Sequence, residues 1–185
     1  MTEGRKVVVL DPGHGGRDPG AVGSSGLREA DVNLRVGRMV KSRLERDCAV
    51  VMTRASDQFV GLGQRCDIAN EAKAAVFISL HCNSATNRDA CGAETYHHPA
   101  SAQGRALAER LQRGLATLGL RDRGVRTAEF YVLRHTNMPA VLVELAFISN
   151  PGDEARLSST EFLNSAADAI AEAVRDYLGE GRGKQ

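Results

Sequence analysis

Two histidines and two glutamates occupy positions where α/β proteins commonly carry functional groups. His14 lies in a glycine-rich loop after the first predicted strand, and His81 follows another apolar strand. Glu29 begins the first long predicted helix, and Glu144 lies late in the most hydrophobic strand of the chain. Because sites in open α/β sheets form beyond the carboxyl ends of the strands, we expect both histidines and Glu144 to converge on one edge.

Glu144 is the strongest single anomaly in the sequence. It interrupts the apolar run from Ala140 to Ile148, where both faces of a strand are expected to be buried. An unpaired carboxylate in such a place costs several kcal/mol or stays protonated. A residue of this kind is usually paired, bound to a ligand, or catalytic.

The other three residues also have plain structural interpretations. A histidine after a strand is more often a hydrogen-bonded structural residue than a ligand, and Glu29 is favourable at a helix N-terminus without any metal. Together, however, two histidines and one carboxylate match the class of catalytic zinc site that keeps a position for water. A second carboxylate then serves as general base, so the four side chains fill the roles that a zinc hydrolase needs.

Predicted strands and helices alternate along the chain. The strands are Lys6–Leu10, Ala49–Thr53, Ala75–Leu80, Ala93–Tyr96 and Pro139–Ile148. The helices are Glu29–Arg46, a segment from Leu62 to near Lys73, a segment lined by Leu107 to Leu118, and a last one that Ser158 and Glu161 open with capping-box spacing. This order predicts the α/β class: a single domain whose open, mostly parallel, twisted sheet carries helices on both faces.

The glycine-rich loop from Gly13 to Gly20 does not match a phosphate-binding motif. It has neither GxxxxGK[ST] order nor GxGxxG spacing, and we interpret its glycines as letting the backbone approach closely around His14. The cysteines Cys48, Cys66, Cys82 and Cys91 form no CxxC pair, which argues against a zinc ribbon or a thioredoxin-like site.

Composition narrows the possible partners. The 185 residues are 42% hydrophobic and 25% charged with a formal net charge of +1, so we expect no nucleic-acid partner. No run approaches the ~20 apolar residues that a membrane span requires. The segment Met1–Lys6 lacks the apolar region of a signal peptide, so we expect export by another route or origin in a longer precursor.

Five short motifs stand in a fixed order: VVLDPGHGG from Val8, DPGA from Asp18, EADVNL from Glu29, SLHCN from Ser79 and MPAVLVE from Met138. Together they resemble the zinc-dependent N-acetylmuramoyl-L-alanine amidases of the third amidase family. The resemblance runs from about Lys6 to Leu178, nearly the whole chain. Two small departures, Cys82 after the second histidine and Leu145-Ala146 after the glutamate, leave the ligand positions unchanged.

The resemblance implies roles for the four residues. His14, Glu29 and His81 become ligands of Zn²⁺, and Glu144 becomes the catalytic glutamate. The implied reaction is hydrolysis of the amide between the lactyl group of N-acetylmuramic acid and the L-alanine of the stem peptide. A zinc peptidase of other specificity and a non-catalytic wall-binding module are the alternatives.

The resemblance also implies an amidase catalytic domain at residues 1–178, with 179–185 as a flexible tail or the start of a linker. Peptidoglycan is the expected partner of a monomer, with a separate wall-targeting domain possible in a longer precursor. The expected place of action is extracellular, in the cell wall or in the periplasm, as an autolysin or a phage endolysin. Since only Asn83–Gly92 separates His81 from the next strand, we expect no built-in inhibitory helix over the zinc.

Two expectations concern neighbouring residues. We expect Asp11 to orient the free ring nitrogen of His14, because the two are close in sequence. Arg17, Arg65 and Arg134 could line a substrate groove, but solvated or core-pairing arginines are the favoured interpretation.

Overall fold

A computed structural model describes residues 4–180, which contain six strands and six helices. The strands are β1 (Val7–Pro12), β2 (Ala49–Met52), β3 (Val76–Asn83), β4 (Ala93–His97), β5 (Asp122–Thr127) and β6 (Ala140–Phe147). The helices are α1 (Glu29–Leu44), α2 (Leu62–Glu71), α3 (Ala102–Ala116), α4 (Tyr131–Arg134), α5 (Pro151–Ser158) and α6 (Thr160–Glu180).

The six strands form one sheet in the order β2-β1-β3-β6-β4-β5. The pairs β1–β2, β1–β3 and β3–β6 are parallel, whereas β4 joins β6 antiparallel and carries β5 parallel to itself. The prediction of a mostly parallel α/β sheet in a single domain is therefore confirmed. The parallel strands β1, β3 and β6 deliver their carboxyl ends to the same edge, which is where the polar side chains collect.

Alternating residues of the strands divide between two apolar clusters, one on each face of the sheet. The larger cluster packs Val8, Ile78 and Val143 against α1, α3, α5 and α6. The smaller one packs Val9 and Phe77 against α2 and the single turn of α4. Helices on both faces are thus observed, and the face covered by the two short helices leaves part of the sheet accessible near the strand ends.

The structure adds three elements that the sequence patterns did not predict, namely β5, α4 and α5. The predicted start of the last helix is wrong by one residue: Ser158 ends α5, and the Oγ of Ser159 accepts a hydrogen bond from the backbone N–H of Phe162 at 3.3 Å. α6 continues through Gly179 to Glu180, and the rest of the predicted tail, 181–185, lies outside the described residues.

No helix among residues 4–180 combines the length and the apolar character that crossing a bilayer requires. The segment 84–92 between β3 and β4 contains no helix, in agreement with the expectation from its short length.

Candidate metal centre

His14 is held in a strained backbone conformation directly after β1. Its φ is 61°, in the left-handed region that residues with a side chain rarely adopt. Its Nδ1 atom lies 2.8 Å from Oδ2 of Asp18, which leaves Nε2 to point at Oε1 of Glu29, 3.2 Å away. The close fit depends on Gly20 (φ 65°), where a Cβ would come within 2.6 Å of the Glu29 carboxylate.

Glu29 is the first residue of α1 and is buried at the centre of the group. Its Oε2 accepts a hydrogen bond from the backbone N–H of Ala21 at 2.9 Å, and its Oε1 lies 2.9 Å from Nδ1 of His81. The backbone N–H of Cys82 donates to the same Oε1 at 3.1 Å. The helix N-terminus also favours a carboxylate at this position.

The charges of this group are strongly coupled. Burial raises the pKa of Glu29, but hydrogen bonds and charge interactions with His14 and His81 outweigh burial and hold that pKa well below its ordinary value. Burial conversely lowers the pKa of His14, yet its contacts with Glu29 and Asp18 outweigh this effect and raise that pKa to about 9. Glu29 is thus an ionised carboxylate that positive charge on its neighbours stabilises.

His14, Glu29 and His81 together form a group that could hold a metal ion. One donor atom from each residue lies within 4.8 Å of the other two. His81 comes from β3, and its imidazole occupies the space above Gly13, where any side chain would overlap the ring. The two imidazole rings meet edge to face with centroids 5.0 Å apart. Three residues distant in sequence therefore converge: the strand order predicted this for the two histidines, and Glu29 joins them from the start of α1.

Glu144 lies beside this group on the neighbouring strand. It pairs in register with His81 across β3 and β6, and both side chains line the same cleft of about 460 Å³. Its Oε2 atom is buried and has no hydrogen-bond partner among the described residues. Burial, reduced in effect by the charge of His81, raises the pKa of Glu144 to about 7. An orphaned carboxylate oxygen with such a pKa is suited to taking up and releasing a proton at neutral pH.

The prediction that Asp11 orients His14 is wrong. Asp11 instead contacts three other side chains. Its Oδ1 accepts hydrogen bonds from Oγ1 of Thr53 and from Arg65, both at 2.6 Å. Its Oδ2 accepts a hydrogen bond from Oγ of Ser79 at 2.7 Å. Asp18 fills the expected role instead. A carboxylate four residues after a histidine in the same glycine-rich loop is the sequence signal that could have identified it.

Two buried arginines brace the backbone that carries His14. Arg65 donates to the carbonyl oxygens of Pro12 and His14, at 2.8 and 2.9 Å, so it is the core-pairing arginine of the three that we considered. Arg54 donates to the carbonyl oxygens of Pro12, Gly13 and Ala30 at 2.7–2.9 Å. By contrast, the exposed guanidinium of Arg17 lies 4.1 Å from the ring centre of Phe59 at the rim of the cleft.

Exposed apolar side chains gather around the cleft. Phe59, Leu62, Phe130 and Tyr131 are each at least 40% exposed, and all four line it. Exposed apolar surface of this kind commonly marks a place where a ligand binds. A group that could hold a metal ion at the carboxyl ends of a mostly parallel sheet, with a buried carboxylate in the same cleft, is typical of metal-dependent hydrolases.

Comparison with known proteins agrees with this class. The profile of the family described as N-acetylmuramoyl-L-alanine amidase matches residues 8–176, and the chain belongs to that family, a family of hydrolases. The N-acetylmuramoyl-L-alanine amidase LytC of Bacillus subtilis is 40% identical over 176 residues, which are 93% of this chain and 35% of LytC. The chain thus spans about a third of that relative's length.

Two further relatives extend the comparison. An endolysin of Bacillus phage SPP1 is 38% identical over 94% of this chain and 66% of the endolysin. The solved catalytic domain of CwlV, an N-acetylmuramoyl-L-alanine amidase from Bacillus (Paenibacillus) polymyxa, superposes with a TM-score of 0.91 at 41% identity. That match covers 94% of this chain and 98% of the CwlV domain, so the two share their whole architecture.

Proposed function

We propose that this protein is a zinc-dependent N-acetylmuramoyl-L-alanine amidase. It hydrolyses the amide that joins the lactyl group of N-acetylmuramic acid to the L-alanine of the peptidoglycan stem peptide. The observation that carries the proposal is the orphaned Oε2 of Glu144, buried in the same cleft as the group formed by His14, Glu29 and His81. Membership of the amidase family supports the choice of bond.

The donor set fits zinc. Two imidazole nitrogens and one carboxylate are the ligands of a large class of catalytic zinc sites, and the low pKa of Glu29 keeps its carboxylate charged. We assign His14, Glu29 and His81 as the residues that hold the ion. When bound, zinc supplies Lewis-acid chemistry: it polarises the scissile carbonyl and makes a water molecule more acidic.

Glu144 performs the proton transfers in this proposal. Its carboxylate accepts the proton of the attacking water and then donates that proton to the leaving amine of L-alanine. The raised pKa supports both steps, because a group with a pKa of about 7 exchanges protons readily in either direction at neutral pH. The register of Glu144 with His81 supports this role, because it brings the carboxylate next to one of the residues that would hold the ion.

The remaining side chains bind and orient. Asp18 holds the ring of His14 through Nδ1, which leaves Nε2 facing Glu29 as the nitrogen that would bind the metal. The exposed apolar residues Phe59, Leu62, Phe130 and Tyr131 provide the walls against which the substrate packs.

We place this activity outside the cytoplasm, in the wall or the periplasm, as an autolysin or an endolysin acting as a monomer on peptidoglycan. The names of the relatives, an amidase of Bacillus subtilis and a phage endolysin, support this placement. A separate domain would supply wall targeting in a longer protein, as the length of LytC relative to this chain suggests.

The test is digestion of purified peptidoglycan, with the released fragments identified by mass. We expect glycan with free lactyl carboxylates and peptides with L-alanine N-termini, released without any activator protein because no helix lies in the segment 84–92. Cleavage within the peptide instead would show a peptidase of other specificity. Binding to the wall without cleavage would show a non-catalytic module.

A further inference from the structure

A row of ionisable side chains extends from the candidate metal centre toward the far edge of the sheet. His81, Glu144 and Glu94 stand in register on β3, β6 and β4. Neighbouring strands lie ~4.8 Å apart, so Glu94 is one strand beyond the residue to which we assign the proton transfers. Alternation along the strands places all three side chains on the face that carries the cleft.

Glu94 is buried, and its charge is more than compensated. Its Oε1 accepts hydrogen bonds from Nδ2 of Asn83 at 2.6 Å and from the hydroxyl of Tyr96 at 2.9 Å. Its Oε2 pairs with the Nε atoms of Arg123 and Arg126, both at 2.9 Å. Two guanidinium groups therefore share one carboxylate, and the cluster carries an excess positive charge.

The excess charge is available at Arg126. The guanidinium of Arg123 stacks over the ring of Phe147, 4.8 Å from its centre, and its side chain is 22% exposed. The side chain of Arg126 is 47% exposed, and in the part of the chain that the structure describes its ion-pair partner is Glu94 alone, through Nε. Arg126 and Tyr96 also line a second cleft of about 780 Å³, so there is space for a ligand beside the guanidinium.

We propose that Arg126 binds a carboxylate of the stem peptide and makes the enzyme selective for substrates whose second residue is a free D-isoglutamate over those with its amide. This inference rests on the proposed amidase function. An extended peptide advances about 3.5 Å per residue, so the carboxylate of the second residue lies ~7 Å from the scissile nitrogen. Glu94 stands one strand spacing, ~4.8 Å, from Glu144, and the side chain of Arg126 reaches back from β5 to within 2.9 Å of Glu94. The guanidinium therefore lies within the reach of that carboxylate when the bond to be cleaved lies beside Glu144.

The test compares two matched muropeptides that differ only in carrying D-isoglutamate or D-isoglutamine at the second position. A charge-assisted hydrogen bond at a half-exposed site predicts that the wild-type protein has about ten-fold higher kcat/KM for the free carboxylate, mostly through KM. Arg126→Gln should reduce this ratio to about two or less. The variant leaves Glu94 paired with Arg123, so the fold is retained.

Arg175→Gln is the matched control, since Arg175 is also surface-exposed (43%) and paired with one carboxylate, that of Asp47. It should keep the ten-fold ratio. Equal kcat/KM of the wild type for the two muropeptides, or a ratio that Arg126→Gln leaves unchanged, would overturn the role of Arg126 while leaving the amidase function intact. If the wild-type protein cleaves neither muropeptide, the amidase function itself is refuted, and the selectivity falls with it.

Discussion

At the scale of single residues, the burial of Glu144 lowers the stability of the fold and at the same time suits the proton transfer that we propose for it. Its buried Oε2 has no hydrogen-bond partner among the described residues, and such a group destabilises the fold. In register across the sheet, His81 lies on one side of Glu144 and Glu94 on the other. This environment supports the proposed role of Glu144 in proton transfer rather than a role in stabilising the strand.

Glu144→Gln tests this directly. The variant keeps the shape of the side chain but cannot carry the proton, so kcat should fall by about 10²–10⁴-fold. Zinc content should stay at the wild-type level, because the three proposed ligands are unchanged. The free energy of unfolding, measured in urea, should stay equal or rise, since a neutral amide replaces a desolvated carboxyl. Near-normal turnover in this variant would remove Glu144 from the proton transfers.

Asp18 is the residue whose effect on the metal should be indirect. Asp18→Asn weakens the contact that fixes the ring of His14, and zinc affinity should fall by roughly 10–100-fold. A competition titration with a chelating dye measures this loss. Asp168→Asn removes a surface carboxylate paired with Arg43 and serves as the control. Wild-type affinity in Asp18→Asn would show that the loop backbone alone orients the ring.

The sequence identified His14, His81 and Glu144 because each is polar at or near the end of an apolar strand. It could not identify Asp18 with the same reasoning, because a carboxylate inside a polar loop is ordinary. The wrong expectation for Asp11 has a related cause. Proximity along the chain does not fix the direction of a side chain, and at this point β1 turns Asp11 toward Thr53 and Ser79.

At the scale of elements, the end of β1 depends on buried arginines that come from other parts of the chain. Arg65 on α2 joins Asp11 to the carbonyl oxygens of Pro12 and His14. These contacts hold the strand end and the strained loop in one position. The position of the group that could hold a metal ion therefore depends on the ion pair between Arg65 and Asp11.

Arg65→Ala should accordingly be costly. Removing one partner of a buried ion pair leaves the charge of Asp11 uncompensated and should lower the free energy of unfolding by about 3–5 kcal/mol. Arg105→Ala removes an arginine from an exposed pair with Glu109 and should cost less than about 1 kcal/mol. Urea denaturation of both variants measures the difference. Similar small losses in the two proteins would contradict the bracing role of Arg65.

Glu154 on α5 anchors the segment before α1, at Ser24 and Ser25, in the loop that also carries His14. It accepts hydrogen bonds from the hydroxyls of Ser24 and Ser25 at 2.7 and 2.6 Å and from the N–H of Ser25 at 2.8 Å. Burial raises the pKa of Glu154, but these hydrogen bonds outweigh burial and lower that pKa to about 2.

Because the folded pKa lies below the unfolded one, the stabilisation by Glu154 is complete above pH ~4.5 and is lost as the pH falls toward 2. At pH 7, Glu154→Gln should be less stable than the wild type by about 1.5–3 kcal/mol, the range for hydrogen bonds to a charged group. The difference should shrink steadily when denaturation is repeated at lower pH. A difference that is independent of pH would show that the charge of Glu154 contributes nothing.

The elements that the sequence predicted are those with a clear apolar period, and the missed ones lack it. β5 reads DRGVRT, with polar side chains along an exposed edge, and it forms because β4 offers a partner. α5 owes its position to Asn150, whose side chain accepts from the N–H of Asp153, followed by Pro151 at the first turn. Because the sequence pattern did not indicate α5, its last residue, Ser158, looked like the cap of the final helix. The side chain that caps α6 belongs to the next residue, Ser159.

At the scale of the whole molecule, the order of the strands in the sheet determines which side chains lie next to each other. The parallel arrangement of β1, β3 and β6 follows from the alternation of strands and helices, so the meeting of His14, His81 and Glu144 could be predicted. The reversal of β4 and β5 could not, because strand pairing depends on contacts far apart in the chain. That reversal places Glu94 opposite Glu144 and thereby brings Arg123 and Arg126 to the same face.

The most direct test of the whole arrangement measures zinc and turnover in the same samples. Wild type, His81→Ala and Glu144→Gln are stripped with chelator, reloaded with zinc, analysed for bound metal and assayed on peptidoglycan. The arrangement of His14, Glu29 and His81 predicts one tightly held zinc in wild type and in Glu144→Gln, little in His81→Ala, and hydrolysis only by reloaded wild type. Hydrolysis by the stripped protein, or wild-type zinc binding by His81→Ala, would contradict it.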